Sequence, residues 1–325
     1  MKIAAVAEPF SDRNLRLLKQ LGVDDYVYYK MEGMPVELEE LTAIKTTVEH
    51  AGLRLSVIEG GPPIDRIVLA KEGRDQQIED YKKALINMGK LGVKVLCYNF
   101  MPQISGDAMV VRTNNQFRER GGAFTGQFRA ADLTPTTVPH NEHPTTDEQM
   151  WDNLQYFLKR IVPIAEAAQV KLAMHPDDPP LSPICGLARI MRSVEHFDRL
   201  LQIAPPPVNG LTLCQGCFAE MGCDIPSVIR HFAGRIHFVH FRDVRGTPTD
   251  FHETFPDNGP TDLVAAFRAY KEIGYDGFIR VDHVPLLATE QGAYDGYGLQ
   301  GHVFAIGYLK GLMQPIFGKP MTANT

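Results

Sequence analysis

The chain has 325 residues, 44% hydrophobic and 22% charged, with 33 Lys and Arg against 39 Asp and Glu for a formal net charge of −6. That acidic balance gives no footing for nucleic acid or an anionic membrane as partner, and no apolar run reaches the length of a membrane span. Five cysteines, an odd number without a secretory leader, point to free thiols and a cytoplasmic location.

Strand-like and helix-like segments alternate almost from end to end. Residues 3–7 read as a strand and 12–21 as a helix, with Leu15, Leu18 and Leu21 at helical spacing and Gly22 as the stop. A strand at 25–29, rich in Val and Tyr, precedes a helix at 35–51 that Pro35 opens and Gly52 closes. A third strand at 54–59 runs into Gly60-Gly61-Pro62, a helix follows at 76–91, and a fourth strand occupies 93–98. The long helix at 147–168 carries Trp151, Leu154, Phe157, Leu158 and Ile161 on one stripe. Four more strands follow at 171–175, 210–214, 236–240 and 277–282, with helices at 194–203, 225–232 and 261–273 between them and a last helix at 301–313.

Eight strands and eight helices in strict alternation predict parallel strands joined by crossover helices, closed as a (β/α)8 TIM barrel that forms a single domain over 1–325. The turn after the first strand, Ala7-Glu8-Pro9-Phe10, lacks the glycines of an open nucleotide-binding sheet. Only 99–146 breaks the rhythm, and a connection this long is unusual inside a domain. It reads either as a disordered surface insertion or as a lid over the barrel mouth, its Arg112, Arg118, Arg120 and Arg129 suited to an anionic substrate.

The last four strands each end in a residue able to hold a metal: His175, Cys214, His240 and Asp282. A lone His on an apolar strand is usually a core residue. Two imidazoles, a thiolate and a carboxylate at matching places in four successive units instead predict one divalent transition-metal site at the C-terminal face of the barrel. In Ile236-His-Phe-Val-His240 alternation puts His240 and His237 on opposite faces, so only one can point into the mouth. Arg242, two residues on, is placed to grip a carboxylate with two prongs. Asp177 and Asp178, in the stiff turn after His175, read as partners of an imidazole or as contacts to substrate hydroxyls. Cys214-Gln-Gly-Cys217 lacks the second pair of a four-cysteine zinc site, so Cys217 and Cys223 read as plain thiols. His283, beside Asp282, is suited to acid–base work near neutral pH, and Tyr297 between Gly296 and Gly298 can approach a substrate closely.

Cys97-Tyr-Asn-Phe-Met-Pro102, His175-Pro-Asp-Asp-Pro-Pro180, Leu211-Thr-Leu-Cys-Gln-Gly216, Phe238-Val-His-Phe-Arg-Asp-Val-Arg245, Asp282-His283 and Gly296-Tyr-Gly298 together resemble the mannonate dehydratase family, metal-dependent barrels of sugar-acid breakdown. The resemblance implies that His175, Cys214, His240 and Asp282 bind Mn2+ or Fe2+ and that His283 and Tyr297 take part in proton transfer. Asn99, Asp177, Arg242 and Arg112 are the expected substrate contacts, and the substrate is a small sugar acid, D-mannonate, converted to 2-keto-3-deoxy-D-gluconate. After Pro102 the chain reads Gln103-Ile-Ser-Gly-Asp-Ala108, where many members have an aromatic residue and a Thr-Arg-Thr run. A sugar isomerase or epimerase on the same metal barrel, and a non-catalytic carbohydrate-binding barrel, are the other readings. Nothing in the sequence decides between a monomer and a homo-oligomer.

Overall fold

The computed structural model describes residues 1–30, 33–104, 109–133, 144–290 and 295–318. In chain order its elements are β1 (Lys2–Ala5), α1 (Asp12–Gln20), β2 (Asp25–Tyr29), α2 (Leu38–His50), β3 (Arg54–Glu59), α3 (Asp65–Val68), α4 (Arg74–Leu91), β4 (Val95–Tyr98), β5 (Asn114–Arg118), β6 (Phe124–Arg129) and α5 (Asp147–Ala168). They continue with β7 (Lys171–Met174), α6 (Val194–Ile203), β8 (Asn209–Cys214), α7 (Gln215–Glu220), α8 (Ile225–His231), β9 (Ile236–Phe241), β10 (Val244–Thr247), β11 (Asp250–Glu253), α9 (Leu263–Glu272), β12 (Phe278–Val281) and α10 (Leu299–Phe317). Eight strands close into a parallel barrel in the order β1-β12-β9-β8-β7-β4-β3-β2, the (β/α)8 architecture that the alternation predicts.

Local chemistry sets the boundaries. Ser11 caps α1 by accepting from the Asn14 N–H. Thr146 and Gln149 form a reciprocal capping box at the start of α5. From there Met150, Trp151, Leu154, Phe157, Leu158 and Ile161 form one buried stripe against the barrel wall. The barrel interior is filled by small and branched side chains, Ala4, Val6, Val27, Val57, Val95, Cys97 and Ala173, with Phe238 and Phe278 as the large fillers. Among the described residues no helix is long and apolar enough to cross a membrane.

The sequence reading missed a second sheet. β5 and β6, inside 99–146, join β10 and β11 in an antiparallel sheet of order β10-β11-β6-β5. This sheet stands over the C-terminal ends of the barrel strands. Phe124 bridges to Leu286 after β12, the Val111 N–H donates to the Asp178 carbonyl after β7, and β10 follows directly on β9. Val111, Phe128, Ile184, Val244 and Phe251 form a small apolar core beneath it. The described part of 99–146 is therefore strand and turn rather than unstructured insertion; 105–108 and 134–143, which include most of the divergent loop and the Pro/Thr/His-rich tail, lie outside the described residues. The short helices α3 and α7 were likewise not read from the sequence.

Candidate active site

β7, β8, β9 and β12 are consecutive in the barrel, so their C-terminal residues emerge side by side. Register sets the levels: Cys214 lies opposite His240 and Arg280 opposite His240 on its other flank, which leaves Asp282 one pleat further out. His175 Nε2 is 3.1 Å from His240 Nδ1, His240 Nδ1 is 3.6 Å from Asp282 Oδ2, and Cys214 Sγ is 3.8 Å from that same oxygen. All four donor atoms lie within 4.8 Å of one another. Ligand bonds of about 2.0–2.3 Å imply separations of about 3–3.7 Å between neighbouring donors, so the quartet has the span of one ion's coordination shell.

The donor chemistry fits a cation as well. His175 Nδ1–H donates to the Pro176 carbonyl at 2.7 Å, which leaves its Nε2 lone pair facing the centre. Burial raises the Cys214 thiol pKa, but the neighbouring Cys217, His175 and His240 outweigh it and hold the group well below the ordinary thiol range. Burial likewise opposes ionisation of Asp282, yet His283, Arg280 and His240 keep its carboxyl well below the usual value. Burial and Arg280 press the His240 imidazole towards neutrality; Glu59 and Asp282 nevertheless raise its pKa well above the ordinary one. A buried thiolate and carboxylate thus draw positive charge onto this point, the charge that a divalent ion would supply in exchange for protons. His240 Nε2 has no hydrogen-bond partner among the described residues and faces Glu59 Oε2 at 3.5 Å. His237, on the opposite face of β9, is hydrogen-bonded at Nε2 to the Pro207 carbonyl at 2.9 Å, away from the mouth.

Beside the quartet opens a cavity lined by Tyr29, Glu59, Asn99, Asp178, His283 and Tyr297 together with His175, His240 and Asp282. The Tyr297 ring packs 4.9 Å from Tyr29, 5.6 Å from His283 and 5.7 Å from His302. Its hydroxyl is 3.4 Å from Asp282 Oδ1 and accepts from Arg280 Nη2 at 3.3 Å. Gly296 permits this approach: it has φ +85, and a Cβ there would meet His283 Cδ2 at 2.6 Å. Burial pushes the Tyr297 phenol well above its ordinary pKa, with Arg280 opposing, so the group stays protonated. The Asn99 side chain faces the cavity and its Oδ1 caps the Met101 N–H at 3.1 Å.

A family model for D-mannonate dehydratase (UxuA) matches residues 12–138 and 136–319. The chain belongs to the D-mannonate dehydratase family. The mannonate dehydratase of Thermotoga neapolitana is 37% identical to it over 315 residues, covering 86% of each chain. The crystal structure of mannonate dehydratase from Streptococcus suis serotype2 superposes with a TM-score of 0.89 at 30% identity, over 100% of this chain and 99% of that one. A xylose isomerase domain protein from Alicyclobacillus acidocaldarius shares the fold, with a TM-score of 0.65 at 12% identity over 96% and 98% of the two chains. The family is one of hydro-lyases, and this chain is an enzyme of that class.

Three of the expected substrate contacts sit elsewhere. Arg242 is 0% exposed at its side chain and bound to Glu253, Glu220 and Asp178, so its fork is closed to a substrate carboxylate. Arg112 is held the same way, by Asp178 and Glu253. Asp177 turns inward to accept from the Met191 N–H at 2.7 Å, and its neighbour Asp178 lines the cavity instead. The remaining arginines of 99–146 are also engaged away from the mouth: Arg118 stacks on Phe124, Arg120 pairs with Asp257, and Arg129 pairs with Asp132 and Asp250. The sequence reading missed Glu59 and Arg280, which form a buried ion pair next to His240 and Asp282, as well as Glu253 and Glu220. Glu59 carried a usable signal, since it too ends a barrel strand just before glycines. Arg242→Met is expected to destabilise the fold by about 3–5 kcal/mol, because it strands buried carboxylates; a denaturant midpoint equal to wild type would show the network to be structurally idle.

Proposed function

We propose that this enzyme dehydrates D-mannonate to 2-keto-3-deoxy-D-gluconate, with one Mn2+ or Fe2+ held by His175, Cys214, His240 and Asp282. The observation that carries the reading is the convergence of these four donors beside a cavity that three of them, His175, His240 and Asp282, line together with His283 and Tyr297, in a chain of this family. The mixed nitrogen, sulfur and oxygen set suits a first-row transition ion of intermediate softness. When bound, the ion supplies Lewis acidity that offsets the negative charge growing on the substrate oxygens next to C2.

The chain's own residues manage the protons. The C2–H bond beside the carboxylate breaks and its proton passes to His283. The C3–O bond breaks with it, and the hydroxyl leaves as water after taking a proton from the Tyr297 phenol, which burial keeps protonated. The C2=C3 enol so formed tautomerises to the 2-keto acid. Arg280, hydrogen-bonded to the phenol oxygen, holds Tyr297 in place and stabilises the phenolate as it forms. Asn99 lines the cavity and would donate from its side-chain NH2 to a substrate hydroxyl, its Oδ1 being held by the Met101 N–H. The sheet built from β5, β6, β10 and β11 acts as the cover that keeps water from the reacting carbons.

The test is incubation of Mn2+-loaded protein with a panel of aldonic acids. D-mannonate is expected to give a 2-keto-3-deoxy acid, with activity lost to a chelator and restored by Mn2+. An isomeric sugar acid as product would replace dehydration by isomerisation, and full activity after chelation would remove the ion from the mechanism.

A further inference from the structure

We infer that Glu253, delivered by the sheet over the mouth, is the positioning residue that fixes the tautomer of His283 and leaves Nε2 as its proton-accepting atom. The inference rests on the reading of His283 as proton acceptor given above. Glu253 ends β11 and is completely buried. Its Oε1 accepts from Arg112 Nε at 3.2 Å, Arg112 Nη2 at 2.6 Å and Arg242 Nη2 at 2.8 Å, and its Oε2 accepts from Arg242 Nε at 2.7 Å. A guanidinium can only donate, so both oxygens of Glu253 act as acceptors and the carboxylate is ionised.

His283 Nδ1 lies 3.1 Å from that same Oε1. Facing an oxygen that cannot donate, Nδ1 must carry the hydrogen. In the neutral imidazole Nε2 is then the bare nitrogen. The ring lines the cavity beside Asp282 and Tyr297, so the bare nitrogen is the one available to a substrate proton. Once Nε2 takes that proton, the imidazolium keeps its hydrogen bond to a buried anion and gains charge assistance from it.

The support for Glu253 is itself rigid. Val244 of β10 pairs with Glu253 across the hairpin, and the Thr125 hydroxyl of β6 donates to the Glu253 carbonyl at 3.2 Å. Arg112 and Arg242 clamp the carboxylate from two sides. The mouth sheet therefore does more than cover the site: it carries one end of a carboxylate–imidazole pair whose other end follows the proposed metal ligand Asp282, just after β12. The nitrogen that accepts the proton is set by a residue outside both the four-donor cluster and the cavity lining.

The test uses 15N-histidine-labelled protein loaded with diamagnetic Zn2+, with His283→Gln identifying the ring's resonances. A protonated Nδ1 and a bare Nε2 are expected at His283; the opposite tautomer overturns the inference, and this measurement needs no variant of Glu253 to fold. In Glu253→Gln the amide can donate as well as accept, so the tautomer preference should vanish. There kcat of the Mn2+ enzyme is expected to fall on the order of 10–100-fold, with KM and bound Mn2+ unchanged. Wild-type turnover in Glu253→Gln, alongside loss of turnover in His283→Asn, would overturn the role of Glu253 alone. Retained turnover in His283→Asn would instead overturn the reading of His283 on which it rests.

Discussion

His283→Asn is expected to lose turnover while keeping its metal. The ring lines the cavity next to Asp282 but is not among the four converging donors, so removing it should leave the ion in place. Asn has similar size and polarity and can still accept from or donate to neighbours, yet it cannot take up and release a proton near neutral pH. General acid–base catalysis is worth about 10²–10⁴-fold, and the loss should fall on kcat because the missing interaction exists only while the proton moves. Bound Mn2+ and kcat measured on one preparation decide the matter. Near-normal kcat would remove His283 from the mechanism, and loss of the ion would recast it as a ligand.

Cys214→Ser should release the ion. The thiolate is the soft, anionic member of the quartet, and a serine hydroxyl in its place stays protonated and binds a transition ion weakly. Perturbing groups behind metal ligands already costs 10–100-fold in affinity, so removal of a ligand is expected to cost more than about 100-fold. Cys185→Ser is the control, since Cys185 is partly exposed and packs beneath the mouth sheet. Cys217→Ser should also retain the ion: Cys217 touches Arg242 at 3.3 Å but is not one of the four donors. Competition with a chelator gives the three affinities on one scale, and equal losses would show that the wrong sulfur was assigned.

The barrel was legible because its signals are local. Asp25–Tyr29, Arg54–Glu59, Asp147–Ala168 and Val194–Ile203 fall where pattern and caps put them, and the quartet stood out because strand ends in a barrel share one face. The mouth sheet was not legible. Asn114–Arg118 is almost wholly polar because it is an edge strand exposed to water, and β6 finds its other partner, β11, only after α5 to β10 have intervened. No local periodicity announces such a pairing. Arg112 and Arg242 were read as substrate ligands from charge and position along the chain, and a sequence does not show that Asp178, Glu220 and Glu253 reach them first. Arg280 is the instructive case. A cation inside a buried barrel strand requires a carboxylate partner, so its need was visible, while the identity of that partner, Glu59, lay 221 residues away.

A Mn2+-soaked crystal measured at the manganese absorption edge bears most directly on the centre of the site. One anomalous peak is expected, bonded to His175 Nε2, Cys214 Sγ, His240 Nδ1 and Asp282 Oδ2, with nitrogen and oxygen at about 2.0–2.3 Å and sulfur slightly further. A peak among Asp178, Glu253 and His283 instead, or a metal bound with Cys214 or Asp282 outside its shell, would contradict the assignment.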